Sequence, residues 1–246
     1  MFEKFPLKVV LAEKRQGRPS SGGLAGKPYR GNRLKVNEIF YSIQGESTWA
    51  GFPCVFVRLT GCNLRCVYCD TKYAYDAGDE LSIDDIVRQV AAYNCPLVEI
   101  TGGEPLLQVD TPRLISQLLD KGYQVLLETN GSLDVSPVDP RCARIIDVKL
   151  PTSGESQHNY LDNISNLAEN DELKLVIASL DDYARAKEII TSIPPQLSAT
   201  IVINISPVFG AISPGLLAAW ILADHLPVRL NLQLHKLLWP ADMRGV

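Results

Sequence analysis

The sequence predicts an α/β fold in which an open, incomplete barrel of about six βα units carries the functional residues. Short β-branched runs alternate with segments of helical spacing from residue 54 onward, and this alternation favours parallel strands with right-handed crossovers. The number of units falls short of the eight in a closed barrel. Chemically unusual residues follow successive predicted strands, where parallel sheets place their sites. A doubly wound sheet is the alternative.

The predicted elements follow one another with short connections. The strands are expected at 54–61, 96–103, 123–131, 143–150, 172–179, 199–207 and 228–236. The helices are expected at 81–93, 111–122, 180–193 and 214–225.

Two of these helices carry recognisable end signals. Ser82 is a plausible N-cap because Asp85 follows three residues later. Pro112 lies near the start of the next helix and Gly122 at its end, the arrangement that helix termini prefer.

Composition indicates a large globular domain. The chain has 246 residues, of which 46% are apolar and 21% charged, enough to bury a sizeable core. No apolar run approaches the roughly 20 residues that span a bilayer. The N-terminus lacks a long apolar segment, so we expect no signal peptide and a cytoplasmic location.

Charge is distributed unevenly along the chain. Residues 1–35 hold nine Lys and Arg against two Asp and Glu, and they include GRPSSGGLAGKPYRGNR. We therefore predict a flexible basic extension over 1–35 and one folded domain over 36–246. A nucleic-acid-binding arm is a further interpretation of the extension, although the acidic remainder argues against a nucleic-acid groove in the domain.

Three of the six cysteines lie in GCNLRCVYCD, at Cys62, Cys66 and Cys69. A structural zinc site would need a fourth ligand, and no histidine is near in sequence. A four-iron cluster explains the number better, since three thiolates leave one iron open to another molecule. The other three cysteines lie in or beside apolar stretches and are interpreted as buried core residues: Cys54, Cys95 and Cys142.

The spacing CxxxCxxC, with Tyr68 before the last cysteine, resembles the radical S-adenosylmethionine (SAM) superfamily. The segment TGGEP at 101–105 resembles the glycine-rich SAM motif of that superfamily, where backbone carbonyls receive an ammonium group. The resemblance implies a 4Fe-4S cluster and SAM, whose reductive cleavage gives a 5′-deoxyadenosyl radical that abstracts hydrogen from substrate. The implied cofactor-binding residues are Tyr68, Asp70, Gly103, Glu104, Asp147, Val148, Lys149 and Ser206. The wording DVKLP around Lys149 departs from the Ser-Pro-Lys segment of related sequences, and ETNG (128–131) and SPVF (206–209) are expected to line the same cleft.

Within the superfamily, the chain resembles the 7-carboxy-7-deazaguanine synthases over most of its length after the extension. The resemblance rests on EIFYSIQGESTWAGFPCVFVRLTGCNLRCVYCDT (38–71) and on the ending LQLHKLLWPADMRGV. It implies a lyase that converts 6-carboxy-5,6,7,8-tetrahydropterin to 7-carboxy-7-deazaguanine with loss of ammonia, a step toward queuosine in tRNA modification.

The same resemblance assigns the other site residues. The implied substrate-binding residues are Ile43, Gln44, Gly45, Arg58, Thr101 and Val246. An arginine at position 58 suits a substrate carboxylate, because a guanidinium grips carboxylates in a fork. Thr71 is implied as a magnesium ligand, with the substrate carboxylate completing the shell. His235 also matches a family position, and we assign it no chemistry.

Two other functions remain open at this point. A glycyl-radical-enzyme activase would share the cysteine loop and the partial barrel but act on a protein partner. A zinc-binding interaction module would be a colourless protein without catalysis. The resemblance further implies an electron donor such as flavodoxin and a homodimer, and it implies no membrane partner.

Overall fold

A computed structural model describes residues 32–240 and 243–246, and these residues form one α/β unit. The strands of the described part are β1 (Arg33–Ile43), β2 (Pro53–Leu59), β3 (Asp79–Ser82), β4 (Leu97–Gly102), β5 (Gln124–Thr129), β6 (Ala143–Val148), β7 (Glu172–Ile177), β8 (Val202–Pro207) and β9 (Arg229–Leu230). The helices are α1 (Ile83–Ala91), α2 (Thr111–Asp120), α3 (Asp162–Ser165), α4 (Leu180–Ser192), α5 (Pro195–Ser198), α6 (Pro214–Ala223) and α7 (His235–Leu238). None of these helices has the length and apolar character needed to cross a membrane.

The strands form a single open sheet in the order β3-β1-β2-β4-β5-β6-β7-β8-β9. From β2 to β9 all neighbours are parallel and follow chain order. A doubly wound sheet would reverse its strand order at a switch point, and this sheet has none. The partial barrel is therefore confirmed and the doubly wound alternative is wrong.

The sheet is curved, because the loop after β1 reaches β7. Thr48 Oγ1 donates to Glu172 Oε1 over 2.5 Å, and Glu46 pairs with Lys174. These strands lie five places apart in the sheet, which would be about 24 Å in a flat arrangement. Contacts of this kind require the sheet to curl around the loop.

Strand alternation separates a core face from an inner face. On β2, Val55, Val57 and Leu59 are fully buried in the apolar core, whereas Phe56 and Arg58 line the interior of the curved sheet. Successive side chains of a strand point to opposite faces, so each strand contributes to both. The inner face therefore receives the polar residues of otherwise apolar strands.

The antiparallel strands β1 and β3 were not predicted. Leu34 and Val36 alternate with exposed or half-buried neighbours and are buried themselves, and the backbone N–H of Lys35 donates to Gln108 Oε1 over 2.8 Å. Strand β1 thus includes Arg33, which lies three residues before the predicted start of the domain at residue 36. The rest of the predicted extension, residues 1–31, lies outside the described residues.

The other differences concern element ends. The segment 81–93 divides into the end of β3 and α1, and the Ser82 hydroxyl accepts a bond from the Asp85 N–H over 3.1 Å, which confirms the N-cap. The predicted strand 228–236 keeps only Arg229–Leu230 as strand and then turns into α7. The chain leaves the sheet because the Leu234 N–H donates to Gly45 of the loop after β1 rather than to β8.

Candidate functional site

A cavity of about 700 Å³ opens at the carboxyl ends of the parallel strands. It brings together most of the residues that the sequence singles out. Those that line it are Ile43, Gln44, Gly45, Arg58, Cys62, Cys66, Tyr68, Cys69, Asp70, Thr71, Thr101, Gly103, Asp147, Lys149 and Val246. Glu104, Val148 and Ser206 do not line it.

The three cysteines lie on the loop after β2, and all three are free thiols. The backbone holds the loop in place, since the Cys69 N–H donates to the Cys66 carbonyl over 3.2 Å and the Val67 N–H donates to the Ser153 carbonyl over 3.0 Å. Burial raises the pKa of the Cys62 and Cys66 thiols, so a positively charged metal centre is needed to hold them as thiolates. Three soft donors on one cavity wall fit an iron–sulfur cluster with an open iron.

Within residues 32–240 and 243–246, no three His, Cys, Asp or Glu side chains are gathered closely enough for a single metal ion. The remaining cysteines lie away from the cavity, and 6% or less of each is exposed: Cys54, Cys95 and Cys142. Their interpretation as core residues is confirmed.

The glycine pair after β4 is required by close packing against the cysteine loop. A Cβ at Gly103 would overlap the carbonyl oxygen of Gly61 and lie 2.7 Å from the Cβ of Cys62. A Cβ at Gly102 would meet the backbone of Leu59 in the same way. The Glu104 N–H donates to the Gly61 carbonyl over 2.7 Å and completes the join. Only residues without a side chain allow the two loops to meet at this distance.

Glu104 faces away from the cavity and is fully buried. Its carboxylate accepts bonds from the Leu106 N–H, the Thr129 hydroxyl and the Asn130 N–H, at 2.7 to 2.9 Å. Burial raises the pKa of Glu104, and these donors counteract the rise. The carboxylate therefore orients the ends of β4 and β5, and the predicted contact with a cofactor does not come from its side chain.

The end of β6 presents alternating residues to the cavity. Asp147 and Lys149 line it and are paired, with Lys149 Nζ 2.7 Å from Asp147 Oδ2. Burial lowers the pKa of Lys149, but Asp147, together with Tyr68 and Cys66, outweighs this effect and raises the pKa. Val148 points to the opposite side and is buried in the core, as alternation along a strand requires.

Two buried polar atoms beside this pair have no hydrogen-bond partner among the described residues: Tyr68 Oη and Asp147 Oδ1. Burial raises the pKa of Tyr68, which keeps the phenol protonated and able to donate. Unsatisfied buried polar groups at a cavity wall indicate a polar ligand that would complete them. The arrangement fits a small cationic and polar molecule such as SAM.

At the end of β8, the residues that reach the cavity differ from the predicted Ser206. The Ser206 hydroxyl, 1% exposed, accepts a bond from Asn231 Nδ2 over 3.1 Å and so joins β8 to the chain after β9. Val208 and Phe209, two and three residues later, reach the cavity instead. Of the segment SPVF (206–209), which was predicted to line the cofactor cleft, only the last two residues line the cavity.

The loop after β1 forms the floor of the cavity. Gln44, 4% exposed, donates from Nε2 to Glu99, and its Oε1 accepts a bond from the Glu46 N–H over 3.0 Å. Gly45 lies against α7, because a Cβ there would be 2.5 Å from His235 Nδ1. The Gln44 side-chain amide is therefore held in a fixed orientation by its two hydrogen bonds.

A charged network on the inner face was missed by the sequence prediction. Lys174 pairs with Glu46 and lies 2.7 Å from Glu128, and Gln233 Nε2 donates to Glu46 Oε1 over 2.6 Å. Burial raises the pKa of Glu99 well above its usual range, with help from the neighbouring Glu128 and Glu46 charges. The available signal was a charged residue within a mostly apolar strand, as in VEI, LET and LKL.

Arg58 combines an ion pair with an aromatic cage. Its Nε lies 2.8 Å from Glu38 Oε1, its guanidinium lies 5.7 Å from the Phe40 ring centroid, and the Tyr73 hydroxyl donates to the same Glu38 oxygen over 2.9 Å. Neither terminal guanidinium nitrogen has a hydrogen-bond partner within the described part of the chain. The fork of Arg58 is therefore fixed at one side and open to a carboxylate on the other.

Thr71 belongs to a short polar chain at the cavity edge. Its hydroxyl donates to Asp70 Oδ1 over 2.9 Å, and Lys236 Nζ lies 2.6 Å from Asp70 Oδ2. Burial opposes the ionisation of Asp70, but Lys236 and the Thr71 hydroxyl lower its pKa to about 2. Since the Thr71 proton is used by Asp70, the oxygen lone pairs of Thr71 are left to accept.

The last residues of the described chain also reach the cavity. Gly245 and Val246 line it, and the Arg244 guanidinium lies 4.0 Å from the ring centroid of Tyr73. Tyr73 also contacts Arg58 at 5.8 Å, so the two arginines share one ring. The chain end is thus placed beside the predicted substrate residues.

Comparisons with known proteins point to one enzyme family. Residues 56–170 match the radical SAM superfamily. A 7-carboxy-7-deazaguanine synthase of Chlorobaculum tepidum is 51% identical over 216 residues, which is 87% of this chain and 97% of that protein. A 7-carboxy-7-deazaguanine synthase of Koribacter versatilis is 40% identical over 228 residues, covering 87% of this chain and all of that protein. The crystal structure of QueE from Escherichia coli has the same fold, with a TM-score of 0.64 at 22% identity over 82% of this chain and 94% of that one.

Proposed function

Because the chain belongs to the 7-carboxy-7-deazaguanine synthase family of radical SAM enzymes, we propose that its cavity converts 6-carboxy-5,6,7,8-tetrahydropterin to 7-carboxy-7-deazaguanine with loss of ammonia. The chain is accordingly a radical SAM lyase of deazapurine biosynthesis. The observation that carries the proposal is the meeting of three segments in one cavity: the cysteine loop, the glycine pair after β4 and the loop after β1.

The thiolates of Cys62, Cys66 and Cys69 would hold a 4Fe-4S cluster, as the superfamily implies. Together with SAM, that cluster supplies a carbon-centred radical that abstracts a hydrogen atom. The protein provides the surroundings: the backbone beside Gly103 allows close approach, and Asp147 Oδ1 is a free acceptor for an ammonium group. The Tyr68 hydroxyl is a free donor for a carboxylate or ribose oxygen.

The opposite wall has the chemistry for a carboxylated pterin. The open side of the Arg58 fork would grip the carboxylate, and the oriented Gln44 amide and the Thr101 hydroxyl line the same space. The inner acidic residues Glu99 and Glu128 also line it, and the Glu128 carboxylate offers acceptors to the N–H groups of a pterin edge. Lys174 holds Glu128 in place, and the Gln44 amide donates to Glu99.

We propose Thr71 as the protein's magnesium ligand. The hydroxyl proton is directed to Asp70, so the oxygen presents lone pairs, and a hard cation prefers oxygen. One neutral ligand is a weak site alone, and the substrate carboxylate would complete it. The cation would then bind together with substrate.

A one-electron donor such as flavodoxin and a second copy of the chain are further parts of the proposal. The described sheet ends on one side in the two-residue strand β9, and a homodimer would cover such an edge. Light scattering of the purified protein at several concentrations tests the dimer. The donor is tested by adding reduced flavodoxin to the reconstituted protein and monitoring reduction of the cluster by its visible spectrum.

The function is tested by incubating the anaerobically reconstituted protein with SAM, a reductant, magnesium and 6-carboxytetrahydropterin. Mass spectrometry should find 7-carboxy-7-deazaguanine and 5′-deoxyadenosine together, and neither with Cys66→Ala. Deoxyadenosine without deazaguanine would overturn the substrate and favour an activase. A colourless protein with tightly bound zinc and no cleavage of SAM would overturn the radical chemistry itself.

A further inference from the structure

Asn130, the residue directly after β5, lies against the cysteine loop. Only 8% of it is exposed, and its backbone N–H donates to Glu104 Oε2 over 2.7 Å. The Thr129 hydroxyl also donates to Glu104 and lies 2.9 Å from both of its carboxylate oxygens. The backbone of Asn130 is therefore fixed by a buried carboxylate that belongs to the loop after β4.

The side chain of Asn130 is part of a closed ring of hydrogen bonds with Asn63 and Ser132. Asn130 Nδ2 donates to Asn63 Oδ1 over 3.1 Å, and Asn63 Nδ2 donates to Ser132 Oγ over 2.8 Å. Ser132 Oγ donates to Asn130 Oδ1 over 2.6 Å, and the Ser132 N–H donates to the same oxygen over 3.0 Å. Rotating either amide by 180° would place oxygen against oxygen or nitrogen against a donor, so the ring fixes both amide orientations.

The ring leaves one N–H of Asn130 for a sulfur atom. A primary amide has two N–H groups, and Asn63 uses one of them. Asn130 Nδ2 lies 3.7 Å from Cys62 Sγ, within the range of N–H···S hydrogen bonds, and the Leu64 N–H lies 3.4 Å from the same sulfur. Cys62 thus receives a side-chain donor that Glu104, Asn63 and Ser132 hold in place.

We propose that Asn130 raises the reduction potential of the iron–sulfur cluster through its N–H···S bond to Cys62, an inference that rests on the cluster of the proposed function. Hydrogen bonds to ligating sulfurs draw electron density from the cluster and stabilise its reduced form. The step concerned is a one-electron reduction of the cluster by an external reductant, with no protein bond made or broken. Asn130 acts through Cys62 and is a positioning residue of the cluster.

The two matched variants are Asn130→Leu and Ser132→Ala. Asn130→Leu replaces the amide with an apolar side chain of similar size and so removes the N–H donor, whereas Ser132→Ala weakens the ring. Ser132→Ala keeps the N–H donors of Asn130 and the backbone bond from residue 132. Both are reconstituted without SAM, checked for iron and sulfide content, and titrated with dithionite and mediators while the reduced cluster is followed by EPR. We expect a more negative midpoint for Asn130→Leu at full iron content and a native midpoint for Ser132→Ala. A native midpoint in Asn130→Leu would overturn the proposal.

A second measurement applies if Asn130→Leu fails to hold a cluster. The native reduced protein, labelled with ¹⁵N at asparagine side-chain amides, is studied by pulsed EPR. We expect a ¹⁵N coupling that persists in Asn63→Asp, which keeps the acceptor for Asn130 and removes the other nearby amide. No resolved ¹⁵N coupling would overturn the proposal.

These experiments separate the inference from the function. The potential and the coupling need neither substrate nor SAM. A native protein with the Asn130-dependent potential that makes no deazaguanine would contradict the proposed function alone. A variant with full turnover and an unchanged potential would contradict the inference alone.

Discussion

At the scale of single residues, Cys66 tests the cluster most simply. Cys66→Ala removes one of three thiolates at the cavity, and we expect loss of most of the bound iron, the brown colour and all cleavage of SAM. Cys95→Ala is the matched control, since Cys95 is a buried thiol away from the cavity. Iron analysis and the visible spectrum after anaerobic reconstitution measure the outcome. Full iron content in Cys66→Ala would refute its role as a ligand.

Thr71 tests the magnesium proposal. Thr71→Ala removes the hydroxyl that donates to Asp70, and we expect the magnesium stimulation of turnover to weaken about tenfold or more while the cluster remains. Thr71→Ser keeps the hydroxyl and should keep the response. Turnover is measured against magnesium concentration. An unchanged magnesium response in Thr71→Ala would exclude the hydroxyl as a ligand.

Glu99 predicts a pH dependence of stability. Its pKa is raised by burial, so the folded protein keeps a proton that the unfolded chain loses above pH about 4.3. Rising pH therefore favours unfolding through this group, by up to about 1.4 kcal/mol per pH unit until the folded pKa is passed. Glu99→Gln removes the ionisable carboxyl and with it this pH dependence, so the variant should gain stability relative to the native protein as pH rises from 5 to 8.

Urea denaturation at both pH values measures that gain. Glu188→Gln is the control, because the Glu188 side chain is 65% exposed and should give the same difference from native protein at each pH. A Glu99→Gln variant whose relative stability does not change between pH 5 and 8 would show that Glu99 is ionised in the folded protein.

At the scale of elements, the glycine pair after β4 explains how two loops meet. A Cβ in Gly103→Ala would overlap the Gly61 carbonyl, so the cysteine loop must shift. We expect a loss of about 1–3 kcal/mol in the free energy of unfolding and a marked loss of bound iron. Gly215→Ala, where a Cβ meets nothing within 4 Å, should change stability by less than about 1 kcal/mol and leave iron content unchanged. Native iron content in Gly103→Ala would contradict the close join.

Elements with strong local signals could be predicted from the sequence. Each of three such features depends on residues close together in the chain: the Ser82 N-cap, the proline at the start of α2 and the cysteine motif around Cys62. Strand β1 could not be found in this way, because its apolar residues alternate within a basic segment that reads as an extension. Strand β9 was predicted too long, because the loop after β1, distant in sequence, holds Leu234.

The site follows the same division. The cysteines, the glycine pair and Arg58 belong to local motifs and line the cavity as expected. The charge of Lys174 within an apolar strand is a local signal, but its partners could not be identified, since Glu128 and Glu46 are 46 and 128 residues away in the chain. Ser206 and Val148 were predicted at the cavity because each belongs to a segment that ends there. Alternation along the strand decides which way each side chain points, and this direction is known only once the strand register is known.

At the scale of the whole molecule, the start of the fold can be tested by truncation. Deleting residues 2–31 should leave turnover unchanged, because the residues that line the cavity in the described part all follow them in the chain. Deleting residues 2–36 removes Leu34 and Val36 from the core and the partner of β3, and we expect at least about 3 kcal/mol of destabilisation. Turnover and thermal unfolding of both forms measure this. A large loss of turnover after the shorter deletion would assign a function to residues 1–31.

The central claim is that one cavity joins a cluster on the cysteine loop to a carboxylated pterin on the loop after β1. The most direct test is an anaerobic crystal structure of the reconstituted protein with SAM and 6-carboxytetrahydropterin. We expect the cluster on Cys62, Cys66 and Cys69, SAM beside Asp147, and the pterin carboxylate at Arg58. A pterin bound outside this cavity, or a single zinc ion on the cysteines, would contradict the account.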